Sequence, residues 1–305
     1  MYGKRKKVSE VVLKNKKQSK MGEKIIEKIF FFCALISVIS VVTITVYVFA
    51  NGLQPFIQGK YSFWEFISGM EWRPGNHEFG IFYMIAGSLF ATLGAILIGV
   101  PIALLTAVFI SELAGSRLGK IVRFAVELLA GIPSVLYGVF GLGVIVPAIV
   151  KISPMAQGES LLATIIVLAV MILPTVISIS ETSISAVPDS YREGSLALGA
   201  SKIQTIFKVI LPAAKSGIIT GIILGIGRAI GETMAVMLVC GNPIAGMPNS
   251  LFSQIRPLTT NIALEMGYAS GVHQQLLFST GVVLFVFIMI INFAVNKFVE
   301  SKIGG

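Results

Sequence analysis

Six stretches of the chain stay apolar long enough to cross a bilayer, which takes roughly 20 residues of helix. They run over 29–50, about Gly80 to Ile110, Ile121 to Val150, Leu161 to Ser180, from after Pro212 to near Val239, and Leu276 to Val295. The pattern predicts an all-α polytopic membrane protein with six transmembrane helices. A tail at 1–28 precedes the first helix, a loop at 51–79 follows it, and 80–295 forms the core, with loops at 186–217 and 240–273 and a tail at 296–305. Pro101, Pro133, Pro147 and Pro174 fall inside spans two to four. They are expected to kink or loosen those helices, which membrane proteins tolerate where neighbours or a cavity satisfy the freed carbonyls.

One connection is longer than its task. A handful of residues would join spans four and five, yet Ala186 to Gly217 reads "AVPDSYREGSLALGASKIQTIFKVILPAAKSG". Leu196, Leu198, Ile203, Ile206 and Phe207 alternate with Arg192, Glu193, Lys202 and Lys208 at helical spacing. Asp189 or Ser190 is expected to cap the start, with Glu193 in the first turn, and Gly199 to end or bend the helix. Such an amphipathic helix either lies on the lipid surface or docks into a groove of another protein.

Charge sets the orientation. Of 305 residues, 55% are hydrophobic and 13% charged, and the mean hydropathy is +0.86, which excludes a water-soluble domain of this size. Ten of the 24 Lys and Arg lie before residue 29. Counted on alternate sides of the spans, 19 basic residues share the side of both termini and the 186–217 loop, and four face the other. The positive-inside rule then places both termini in the cytoplasm of a multi-pass cell-membrane protein. The first span is too long and continuous for a typical signal peptide and reads as a retained anchor. The basic run lacks the aromatic or structured surface that nucleic acid requires, so the partner it implies is membrane lipid. Two cysteines, Cys33 and Cys240, make neither a disulfide framework nor a metal cluster. His77 and His273, both in outer loops, read as surface residues rather than metal ligands.

The remaining basic residue, Arg228, stands inside span five in "GRAIGETMAV", with Glu232 one turn on. On a continuous helix Gly221, Gly225, Arg228 and Glu232 share one face, with Glu232 about 6 Å along the axis from Arg228. Gly221, Gly225, Gly227 and Gly231 are expected to make close helix packing. The pair either only neutralises itself and holds register, or serves a charged solute, for which Arg228 offers a planar fork that matches oxyanions. Glu127 is a second membrane carboxylate, expected rather to pair with Arg123 four residues earlier. Ser134 and Tyr137 either line a polar route or pack.

Within the long loop, "EGSLALGASKIQTIFKVILP" resembles the EAA loop of ABC-importer permeases: Glu193, two small residues, Gly199 six positions on, and "VILP" closing at Pro212. Gly194 and Ser195 stand where alanines are usual, and Val209 replaces an isoleucine. The resemblance implies a type I ABC-importer permease fold whose coupling helix sits in a cleft of a cytoplasmic ATPase. Its docking residues would be Arg192, Glu193, Gly194, Ser195, Leu198, Gly199, Ala200 and Pro212. "GRAIGETMAV" with "ELLAGIPSVLYG" resembles the permeases of phosphate ABC importers. "MEWRPGNHEFGIFYMIAGSLFAT" and "IRPLTTNIALEMG" resemble the C-type subunit of that family, and the likeness spans about Ile25 to Val295. It implies a heterodimer with an A-type permease, two copies of an ATPase subunit, and an extracytoplasmic phosphate-binding protein facing 51–79 and 240–273. "AGSRLGKI" lacks the first glycine and the final Ser/Thr of a P-loop, so the chain is expected to bind no cofactor and to be no enzyme, with ATP and Mg used by the partner. A permease for sulfate or molybdate, a self-contained secondary transporter and a phosphate sensor remain the alternatives.

Overall fold

The computed structural model describes residues 2–153 and 157–303, with side chains over 24–153, 157–294 and at 297. The basic residues of the first 23 positions, and Lys302, therefore lie outside the described side chains. Among the described residues the regular structure is helical, its shorter helices including α2 (Phe63–Ser68), α6 (Val146–Val150) and α10 (Leu211–Ala213), apart from one two-strand hairpin and two isolated bridges.

It divides into two compact units, Met1–Asn51 and Gly52–Gly305. The first belongs to one long helix, α1 (Tyr2–Ile57), whose apolar side chains from Ile25 to Tyr47 are exposed on every side, as lipid requires.

The second unit is built around α7 (Leu161–Ser185), which packs against α3 (Phe82–Val108), α4 (Ser116–Gly131) and α11 (Lys215–Gly231). Pro101 and Pro174 leave α3 and α7 unbroken. Span three does break: α4 and the segment Ser134–Val150, which opens with α5 (Ser134–Phe140), meet at 98°. Pro133 drives its predecessor Ile132 into extended backbone, φ −71° and ψ 127°. Tyr137 then donates its hydroxyl to the Leu129 carbonyl at 2.6 Å, satisfying an acceptor near the bend. Span four runs five residues past its expected end, and span six begins at Gly271, as α14 (Gly271–Ile303).

The glycines of span five separate into two kinds. A Cβ on Gly221 would meet Ile179 at 3.2 Å, and one on Gly225 would meet Val176 at 2.7 Å, so these two permit the contact with α7. Gly227 and Gly231 have nothing within 4 Å of an added Cβ, and the expectation that they pack is corrected. Gly225→Val should therefore destabilise the chain by about 1–3 kcal/mol. Gly227→Ala should be neutral or stabilising by about 0.5–1 kcal/mol. Thermal unfolding in detergent separates them; equal losses in both would contradict this packing.

At the N-terminal end of α3 a cap forms from residues 61–81 and 240–273. Strands β1 (Trp72–Arg73) and β2 (Glu78–Phe79) pair antiparallel, and Trp72 N donates to Ile244 O at 2.8 Å. The backbones of Gly69 and Gly80 approach so closely that a side chain on either would collide with the other. Trp72, Phe66 and Ile81 are fully buried beneath. His77 is exposed, but His273 is not the surface residue expected. It packs among Trp72, Phe79 and Tyr268, with Nε2 3.1 Å from Glu265 Oε2. Glu265 ends α13 (Leu258–Glu265) and forms a buried pair with Arg256 at 2.5 Å. Burial alone would raise the Glu265 carboxyl. Hydrogen bonds from Tyr268 and Arg256 and the charges of Arg256 and His273 outweigh it and hold the group below its usual 4.5. A depressed carboxyl stabilises the fold above 4.5, and that contribution disappears as pH falls through the lower, folded value. Acidification should thus expose Trp72, read by fluorescence in a Trp64→Phe background, and Glu265→Gln should remove that pH dependence. An unchanged acid transition in the variant would exclude the pair as its cause.

Candidate functional site

Span five is not one helix. It bends by 71° where Lys202–Ala213 meets α11, and α11 stops at Gly231. Glu232 is extended, φ −70° and ψ 129°, before α12 (Met234–Val239) begins. Three hydrogen bonds support the break: Thr259 Oγ1 donates to Glu232 O at 3.0 Å, Thr233 Oγ1 donates to Gly231 O at 3.2 Å, and Ala235 N donates to Glu232 Oε1 at 3.0 Å. Polar side chains thus replace the helical bonds that the break removes.

This corrects the expected pair. Arg228 and Glu232 are separated by the end of the helix, and the Glu232 carboxylate caps α12 instead of meeting Arg228. Arg228 sits half-buried in the last turn of α11, where the carbonyl end of the helix favours a cation. Its Nη1 donates to Thr175 Oγ1 on α7 at 3.2 Å, and it forms no ion pair among the described residues. A cationic fork with only a neutral hydroxyl partner is what transient anion contact needs. Beside Glu232 a cavity of ≈ 10 Å³, lined by Ser88, Thr92 and Thr259 among others, has room for no more than one water molecule. An oxyanion does not fit there in this arrangement.

Glu127 is exposed on α4 and does not take Arg123, whose Nη2 lies 2.5 Å from Glu181 Oε1 on α7. The nearest partner in space came from 58 residues away rather than from one helical turn. Ser134 is half-buried at the start of α5, while the Tyr137 hydroxyl is committed to Leu129. Thr175, Glu181, Thr259 and Glu112 were not anticipated. The two glutamates carried the available signal, each being a carboxylate within an apolar run.

At the other end of α3 lies the loop helix α8 (Asp189–Ala197). Pro188 precedes it, and no side chain caps it, so neither Asp189 nor Ser190 plays the expected part. Glu193 lies in the middle of α8 rather than in its first turn. Gly199 does end the helix: its φ is +84°, and Ala200 N returns to Ser195 O at 3.2 Å. The chain restarts at Ser201, whose capping box with Gln204 opens α9 (Lys202–Thr205). Tyr191, Leu196 and Leu198 are exposed, Leu198 to 91%, so this short helix presents apolar surface outward. Glu193, Gly194, Gly199 and Pro212 are exposed with it. Arg192, Ser195 and Ala200 turn inward: Ser195 bonds Thr205 at 2.9 Å, and Arg192 bonds Glu112 at 2.6 Å.

Comparison with known proteins places these features. A family model described as binding-protein-dependent transport system inner membrane component matches residues 95–305. A probable ABC transporter permease protein, YqgH of Bacillus subtilis (strain 168), is 40% identical, covering 95% of this chain and 96% of that one. The phosphate transport system permease protein PstC of Xylella fastidiosa (strain 9a5c) is 36% identical over 75% of each chain. The PstC of Pasteurella multocida (strain Pm70) is 35% identical over 70% of this chain and 73% of its own. Among solved structures, a chain of a bacterial alginate ABC transporter in complex with an alginate pentasaccharide-bound periplasmic protein superposes with a TM-score of 0.63 at 17% identity. The match covers 92% of this chain and 97% of that one. A chain of the MetNI methionine ABC transporter, inward facing, gives 0.56 at 21% identity, covering 73% and 94%. These likenesses carry the fold alone. The fold is that of an all-α, multi-pass membrane permease, and the chain belongs to the binding-protein-dependent transport system inner membrane component family.

Proposed function

We propose that the chain is the C-type transmembrane subunit of an ATP-driven importer of inorganic phosphate. The observation that carries this reading is Arg228, a half-buried guanidinium at a helix break whose one hydrogen-bond partner among the described residues is a hydroxyl. A cation in that setting can meet a passing oxyanion and release it, where a deep, saturated site would trap it. The PstC names of relatives at 35 and 36% identity support phosphate as the cargo.

In this reading both termini and α8 face the cytoplasm, and the cap faces outward toward an extracytoplasmic binding protein. An A-type permease completes the pathway as heterodimer partner. Two copies of an ATPase subunit bind and hydrolyse ATP with Mg and receive the exposed face around Glu193, Leu198 and Gly199. This chain performs no hydrolysis.

The test is an omission series in proteoliposomes containing this chain, the A-type permease, the ATPase and the binding protein. Phosphate uptake should fall to background when any one is left out. Uptake by this chain alone would make it a secondary transporter.

A further inference from the structure

Arg192 was expected to contact an ATPase, but it has no donor left to do so. A guanidinium carries five N–H donors. Nε donates to Glu112 Oε1 at 3.2 Å, and Nη2 to the same oxygen at 2.6 Å and to Ile184 O at 3.2 Å. Nη1 donates to Val187 O at 2.6 Å and to Asp189 Oδ1 at 3.1 Å. All five are spent inside the chain.

Glu112 is itself nearly buried, its side chain 8% exposed, in a π-helical turn (Phe109–Leu113) that ends α3. Arg192 thus fastens three pieces at one point: its own helix α8, the end of α3 through Glu112, and the end of α7 through the Ile184 and Val187 carbonyls. The hydrogen bond to Glu112 is also the main reason its guanidinium is held even more firmly protonated than usual. A nine-residue helix with no side-chain cap does not hold its place unaided. The two helices it is fastened to carry the candidate site. Thr175, the partner of Arg228, stands on α7 nine residues before Ile184, about 13 Å along the axis, and Ser88 and Thr92 stand on α3.

We propose that Glu112 is a positioning residue for the loop helix: by holding Arg192 it makes α8 move as one body with the ends of α3 and α7. This rests on the importer reading for its consequence, while the fastening itself is a property of the chain alone.

A double-mutant cycle tests it, with Glu112→Gln, Arg192→Gln and the double variant. In the reconstituted transporter, each single variant should lower the phosphate imported per ATP hydrolysed about tenfold or more, with ATPase co-purification unchanged. The double variant should be no worse than the worse single. A defect that only slowed folding would lower import and hydrolysis together and leave the ratio intact. Arg192→Lys, which keeps the charge but only three donors, should fall between. In the purified full chain, chymotryptic cleavage at Tyr191 and Leu198 should rise several-fold in both single variants, and this second readout needs no transport. An effect of Arg192→Gln without one of Glu112→Gln, or single effects that multiply in the double, would overturn the proposal and return Arg192 to the docking surface. Wild-type uptake that ignores ATP would instead remove the importer reading, leaving the cleavage result to decide the fastening.

Discussion

Replacing Arg228 by glutamine is expected to cut ATP-driven uptake roughly 10- to 100-fold while the complex still assembles. The magnitude follows from losing one charge-assisted contact to an oxyanion, worth about 1.5–3 kcal/mol, at 1.4 kcal/mol per factor of ten. The fold should survive, because among the described residues the side chain holds only one hydrogen bond, to a neutral hydroxyl at 3.2 Å. Arg228→Lys should recover part of the activity, keeping the charge and losing the fork. The break at Glu232 sharpens this prediction. Were the two residues an ion pair, Glu232→Gln would unbalance Arg228 and both variants would fail alike. In the observed geometry glutamine still accepts from Ala235 N through its carbonyl, so Glu232→Gln should be far milder. Uptake and pull-down assays on the three variants decide it, and equal collapse of Arg228→Gln and Glu232→Gln would restore the pair.

Two glycines five positions apart should respond in opposite ways. Gly199 has nothing near an added Cβ, so space is not what it provides. Its φ of +84° is the constraint, and a β-branched residue there is strained by about 1–3 kcal/mol. Gly199→Val should therefore shift the end of α8 and the exposed Leu198, reducing uptake at least tenfold with insertion unaffected. Gly194 lies inside α8 with equally open space and ordinary helical backbone. There Gly194→Ala removes a helix-weakening residue and should leave uptake intact. Glu193→Lys reverses a charge on the exposed face and should resemble Gly199→Val in uptake, but by weakening ATPase association. ATPase co-purification distinguishes the two routes, and normal association in Glu193→Lys would count against docking at that face.

The contrast between what was legible beforehand and what was not has a physical basis. Hydropathy located four helices long and apolar enough to cross a membrane and two further bent pairs, because burial in lipid acts on every residue of a stretch at once. Helix breaks are set by a few long-range acceptors and donors. The end of α11 depends on Thr259, 27 residues downstream, and the bend after α4 depends on Tyr137 reaching back to Leu129. Pro133 announced the second break, whereas Gly231 followed by a charged residue was a weak sign of the first. Ion pairs were misread for a related reason. Helical spacing offers an i+4 partner, but Arg123 found Glu181 across the bundle, 58 residues away, and the helix ends between Arg228 and Glu232. Gly199 was legible because a positive φ leaves a compositional trace at the end of an amphipathic run. Gly227 and Gly231 were not, since spacing alone does not say whether a neighbour is present.

The most direct measurement is uptake of radiolabelled phosphate into proteoliposomes holding this chain, its A-type partner, the ATPase and the binding protein. It is made with and without ATP, and with excess sulfate or molybdate. The account predicts uptake that requires ATP and resists both competitors. Uptake independent of ATP would contradict the coupling of α8 to an ATPase, and strong competition would contradict phosphate as the cargo.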